Sequence, residues 1–191
     1  MLRMKSGVAQ VKSTIVYLHG YGSSPEGDTA QHIKNSFPGQ KFIAPAIDHN
    51  QHPDVLKKQM DNLAKRLKKH DDPIIVGSSA GGFWGDYMAA KHGIKTVLVN
   101  PSLKPSANYK KYNLPKEHYA AYKKLEDASV GHARHHVVVF HGTEDTVVPR
   151  EHIHTHYKNP IDLHGEGHRV VNFTPVINTI NKMIGNFPEH H

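Results

Sequence analysis

None of the 191 residues is cysteine. That excludes disulfides, thiolate metal sites and a cysteine nucleophile, and it suits a reducing compartment, so a cytoplasmic location is expected. Long apolar runs are missing too. No stretch approaches the ~18 residues that a membrane span needs. The basic segment 1–13 lacks the apolar core of a secretory signal. Acidic residues are the scarcer charge, 17 against 24 Lys plus Arg, which leaves a formal net charge of +7. A basic balance attracts polyanions. Here the lysines are spread over expected helix faces with no compact arginine and aromatic cluster, so no nucleic-acid partner is expected.

What remains is a set of short Val- and Ile-rich runs: Thr14 to Leu18, Lys41 to Ala44, Pro73 to Val76, Thr96 to Val99, Val137 to Phe140 and Ile161 to Leu163. They do not alternate with polar residues, as expected for strands covered on both faces of a parallel sheet. Helical patterns separate them. Asp28 is the expected N-cap of a helix reaching Asn35. Asp54 to His70 carries Leu56, Met60, Leu63 and Leu67 on one stripe. Further helices are expected from Ala80 to Gly93, from Lys116 to Asp127, after Pro149, and from Pro175 to Ile184. Strands alternating with helices predict one three-layer α/β domain over residues 1–191 with a mainly parallel six-stranded sheet in the order 2-1-3-4-5-6. Residues 101–135 hold no strand pattern. They include Tyr109, Tyr112, Tyr119 and Tyr122, and are expected to form a lid-like insertion.

Gly77-Ser78-Ser79-Ala80-Gly81 has the form G-x-S-x-G. The spacing places Ser79 on a tight turn between a strand and a helix, where flanking glycines make room and the hydroxyl projects above the sheet. Ser78 does not fit that frame, because Val76 stands where its first glycine would be. His19-Gly20-Tyr21-Gly22 follows the first strand. The backbone N–H groups of Tyr21 and Ala80 are the expected oxyanion donors. Asp145, in a loop after the fifth strand, is the expected carboxylate, with Glu144 as competitor. His168, after the sixth strand in Gly165-Glu166-Gly167-His168, is the expected general base, with His164 as runner-up. The chain order Ser79, Asp145, His168 matches the serine, acid, histidine order of the α/β-hydrolase arrangement. His19 is expected to be structural. Phe83 and Trp84 are candidates for the wall of an acyl pocket, with helix core as the other reading.

The chain has 18 histidines. His152 and His156 are spaced i, i+4, with His154 between them, and His132, His135 and His136 form a second group. Two imidazoles on one helix face bind zinc weakly, a real site needs three or four ligands, and neither group has an Asp, Glu or Cys at helpful spacing beyond Glu151, so solvated helix surface is expected and no metal.

Three stretches resemble a known family. They are Ile15 to Pro25, Val76 to Phe83 and Val97 to Pro101, with Gly165 to His168 at the end. Together they resemble the small bacterial YqiA-like esterases of the α/β-hydrolase superfamily over about residues 14 to 184. The resemblance implies a compact esterase or thioesterase without metal or cofactor. It implies Ser79, Asp145 and His168 as the triad and a small-molecule acyl ester or thioester as substrate. A non-catalytic binding protein on the same fold is the alternative. A basic nucleic-acid binder with an incidental hydrolase core is the third.

Overall fold

The computed structural model describes residues 12–69, 72–108, 110, 111 and 113–185. His70, Tyr109, Tyr112 and most of the segment 1–13 fall outside them. Six strands among the described residues form one sheet: β1 (Thr14–Leu18), β2 (Lys41–Ile43), β3 (Pro73–Ser78), β4 (Lys95–Val99), β5 (Val137–Gly142) and β6 (Ile161–Leu163). All neighbours pair in parallel, in the order β2-β1-β3-β4-β5-β6. This is the expected order, and the strands are those read from the apolar runs, β3 and β5 each extending two residues further.

Among the described residues seven helices accompany the strands: α1 (Asp28–Ser36), α2 (Pro53–Leu67), α3 (Ala80–His92), α4 (Pro105–Asn108), α5 (Lys116–Ser129), α6 (Arg150–His154) and α7 (Thr174–Met183). The pleat sends alternate strand residues to opposite faces. Ile15, Tyr17, Ile74, Val76, Val97 and Val99 meet Ala30 and Ile33 of α1 and Val176 and Ile180 of α7. Val16, Leu18 and Ile75 face the other way, onto Leu56, Met60 and Leu63 of α2 and Trp84 and Met88 of α3. Because both faces are covered, the strands carry no polar alternation. None of the described helices is long and apolar enough to cross a membrane.

One local expectation is corrected. Asp28 is not the N-cap of α1. Gly27 is, without a side-chain bond, and Asp28 lies in the first turn, where its charge meets the positive end of the helix dipole. At α2 the cap is His52, whose side chain accepts the Asp54 N–H at 3.2 Å, ahead of Pro53.

The insertion expected as a lid is also packed differently. Tyr122 of α5 is buried, with its ring 5.6 Å from Phe83 and 6.3 Å from Trp84. The Glu126 carboxylate accepts both the Ser106 N–H and the Ser106 hydroxyl at 2.7 Å, which joins α5 to α4. This segment belongs to the helical layer over α2 and α3.

Candidate active site

The carboxyl ends of the strands converge at Ser79, the residue between β3 and α3. Its backbone is at φ 53, ψ −119, a conformation that costs a non-glycine residue on the order of 1–3 kcal/mol and persists only where its surroundings enforce it. The enforcement is visible. A Cβ at Gly81 would lie 2.1 Å from the Leu18 carbonyl oxygen, and one at Gly77 would lie 2.7 Å from the Gly81 oxygen. The turn can therefore close only with glycine at both positions. The Ser79 N–H donates to the Val99 carbonyl at 3.1 Å, and the Ser79 carbonyl accepts from Gly82 and Ser102, each at 2.9 Å.

Three expected side chains meet at this point. Ser79 Oγ lies 2.9 Å from His168 Nε2, and His168 Nδ1 lies 2.9 Å from Asp145 Oδ2. The other carboxylate oxygen, Oδ1, accepts the N–H groups of Val147 and Val148 at 2.7 and 3.0 Å. Burial raises the pKa of Asp145. The hydrogen bonds from His168, Val148 and Val147 outweigh it and hold the group below the usual carboxylate range. An ionised carboxylate only accepts, so Nδ1 carries the ring proton and Nε2 presents its lone pair to the serine hydroxyl. The Asp145 side chain is fully buried, and that of His168 keeps 26% of its surface exposed.

The two competitors lie elsewhere. The Glu144 N–H donates to Glu166 O at 2.9 Å, and the Glu144 side chain is exposed, as is His164. His19 is buried. Its Nε2 accepts the Ile47 N–H at 3.1 Å, its Nδ1 reaches Gly20 O at 2.9 Å, and its own carbonyl accepts from His49 Nε2 at 2.9 Å. Both rings thereby fix the loop that carries Tyr21. Burial lowers the pKa of His49 to about 4, so the His49 ring stays neutral.

A cleft of about 560 Å³ opens beside Ser79. Tyr21, Ser24, Thr29, Arg169 and Phe173 are among its lining residues. Tyr17 forms part of the floor, and burial pushes its hydroxyl up to about 12 against bonds to Thr29 and Ser78 that lower it. Phe83 and Trp84 do not line this cleft. They point from α3 into the core at 4% and 1% exposure, and no described residue of 101–135 lines it either. The pocket reading of Phe83 and Trp84 thus gives way to the core reading, because Tyr122 of α5 closes over them.

Sequence reasoning left Asn100 without a role. It is fully buried at the end of β4 with φ 46, and its amide bonds Gly142, Gly167 and His168. The signal was an Asn-Pro pair directly after an apolar strand. The histidine groups also need correction. α6 ends at His154, so His156 shares no helix with His152. The His156 side chain is 4% exposed, with Nδ1 3.3 Å from Asp86 Oδ2. No group of three or more His, Cys, Asp or Glu side chains among the described residues could hold a metal ion.

This sheet, with its strained serine between β3 and α3, defines the α/β-hydrolase class of fold. Solved structures with that architecture overlay most of the chain. Est1E from Butyrivibrio proteoclasticus gives a TM-score of 0.70 at 16% identity, covering 93% of this chain and 89% of its own. Mouse alpha/beta hydrolase domain-containing protein 10 gives 0.63 at 18% identity, covering 96% and 91%. XC6422 from Xanthomonas campestris, described as an α/β serine hydrolase without lid, gives 0.61 at 12% identity, covering 96% and 88%. The chain belongs to UPF0227, an uncharacterised protein family, whose model matches residues 14–185. Curated members are similar to it over shorter stretches. A Shewanella baltica UPF0227 protein is 29% identical over 109 residues, 54% of this chain and 60% of that protein. A Vibrio vulnificus member is 32% identical over 98 residues, 49% of this chain and 53% of its own length. The chain thus spans a little over half the length of the curated relatives it matches.

Proposed function

We propose that this protein is a serine hydrolase that cleaves small acyl esters or thioesters through an acyl-enzyme at Ser79. The observation that carries this reading is the unbroken run of two 2.9 Å contacts from the Ser79 hydroxyl through His168 to Asp145, at the mouth of a cleft.

In this scheme Ser79 Oγ attacks the acyl carbonyl while His168 Nε2 takes its proton. Asp145 holds the ring in the tautomer that can accept it and stabilises the imidazolium that forms. The carbonyl oxygen becomes anionic and turns towards the backbone N–H groups of Tyr21 and Ala80. The N-terminus of α3 behind Ala80 adds its partial positive charge. As the tetrahedral species collapses, His168 returns the proton to the departing alcohol or thiol. Water then enters the cleft, gives a proton to His168 and attacks the acyl-enzyme. The same oxygen site serves again, and the acid leaves with Ser79 restored. No step calls for a metal or a cofactor.

The test is pre-steady-state hydrolysis of a p-nitrophenyl acyl series and a matching thioester series. The proposal expects a burst of product equal to the enzyme concentration. It also expects a mass increment of one acyl group on the peptide containing Ser79. A protein inactive on every substrate, or one that turns over without acylating this peptide, overturns it.

A further inference from the structure

We infer that Asn100 is a positioning residue for this site, its one buried amide holding the backbone that bears His168 in register with the loop that bears Asp145. The inference rests on the acyl-transfer reading given above.

The side chain bonds two separate segments at once. Oδ1 accepts the Gly142 N–H at 2.8 Å, and Gly142 ends β5 immediately before the Asp145 loop. Nδ2 donates to the carbonyls of Gly167 at 3.0 Å and His168 at 2.9 Å. The second of these acceptors belongs to the general base itself. The two segments pass at contact here, since a Cβ at Gly142 would lie 2.3 Å from Glu166 O and 2.7 Å from Gly167 O. At Gly142 itself no side chain fits between them. A planar amide arriving from the side, with an acceptor on one edge and two donors on the other, does.

The neighbours of Asn100 hold the nucleophile. Val99 accepts the Ser79 N–H, and Ser102 donates to the Ser79 carbonyl. The turn over residues 99–102 is thus bonded to the backbone of Ser79, to that of His168, and to the root of the Asp145 loop. The backbone of Asn100 is itself left-handed, a region that asparagine tolerates better than most non-glycine residues. Aspartate is nearly isosteric and could still accept from Gly142. Its second oxygen would face two carbonyl oxygens with nothing to donate.

The test compares wild type with Asn100→Asp and Asn100→Ser well below their melting temperatures. It measures kcat and KM on a p-nitrophenyl ester, and the low-field proton NMR signal of His168 Nδ1–H. We expect kcat to fall on the order of 10²-fold, the scale of a misplacement of about 1 Å. KM should stay within about three-fold, and the low-field signal should broaden or vanish. Folded variants with wild-type kcat and an unchanged signal would overturn the inference. Asn100→Ser decides the matter should Asn100→Asp not fold. Wild-type protein without any esterase activity would sink the acyl-transfer reading alone. The His168 signal would then still decide whether Asn100 positions the ring, and its persistence in both variants would refute that.

Discussion

Of the Asp–His pairs among the described residues, two also bring the histidine ring to a serine hydroxyl, and their surroundings differ. At the strand ends, Asp145 and His168 are 2.9 Å apart, and the second ring nitrogen faces the hydroxyl of a strained serine beside an open cleft. Below α3, Asp86 and His156 are 3.3 Å apart, and His156 Nε2 lies 3.4 Å from the hydroxyl of Ser129. The second set repeats the residue types of the first. It differs in everything that surrounds them. Arg134 grips Asp86 with Nε at 2.6 Å and Nη2 at 3.0 Å, and the Tyr157 hydroxyl adds a bond at 2.5 Å. Ser129 already donates to Glu126 O at 2.8 Å. The His156 side chain is only 4% exposed, against 26% for His168. A carboxylate neutralised by a guanidinium has little pull left for an imidazolium, and a hydroxyl spent on a helix carbonyl is not a nucleophile. Three residue types at hydrogen-bonding distance do not make an active site. Around Ser79 the serine is strained and borders a cleft, and Asp145 is held by two backbone N–H groups and the His168 ring.

Substitutions can break this contrast. The largest expected effect is at the serines. Ser79→Ala should lower kcat on the order of 10⁶-fold, as for a triad acting as a unit. Ser129→Ala should leave kcat unchanged and cost about 1 kcal/mol of stability for its lost hydrogen bond. Parallel kinetics and thermal unfolding of the two variants check both. Next come the carboxylates. Asp145→Asn should lose about 10⁴ in kcat, because the amide favours the wrong ring tautomer, with the fold retained. Asp86→Asn should do the reverse. It strands the buried Arg134 cation and should destabilise the protein by about 3–5 kcal/mol, while the folded fraction keeps its kcat. Denaturant titration beside activity measurement separates the two.

A smaller effect is expected with pH. Burial raises the pKa of Asp86, but its bonds from His156 and Arg134 win and hold it at about 2. A carboxylate depressed in the folded state stabilises fully above the unfolded value near 4. It loses that contribution as pH falls through its folded value. Wild type should therefore lose stability between about pH 4 and pH 2. Asp86→Asn should show a shallower loss in that window. Melting temperatures measured down the pH series decide it.

The sheet was legible because covering both faces of a strand selects unbroken Val and Ile runs, and Ser79, Asp145 and His168 stand in the segments that follow three of them. Features set by distant packing were not legible. Phe83 and Trp84 stand one turn into α3, where either pole of the helix could hold an aromatic. Their burial depends on Tyr122, which arrives from a separate helix. The i, i+4 spacing of His152 and His156 reads as one helix face, yet α6 stops at His154 and Arg134 and Asp86 organise the rest. Glycine and aspartate both suit a helix start, so a one-residue shift from Asp28 to Gly27 leaves no trace in the pattern. Asn100 bonds residues more than 40 positions downstream, a relation that no local spacing encodes.

The most direct measurement is covalent labelling of the native protein with a fluorophosphonate, followed by mass mapping of the modified residue. The account predicts a single adduct on the Ser79 peptide and none on the Ser129 peptide. A folded protein that takes no label, or takes it on Ser129 or any other residue, contradicts it.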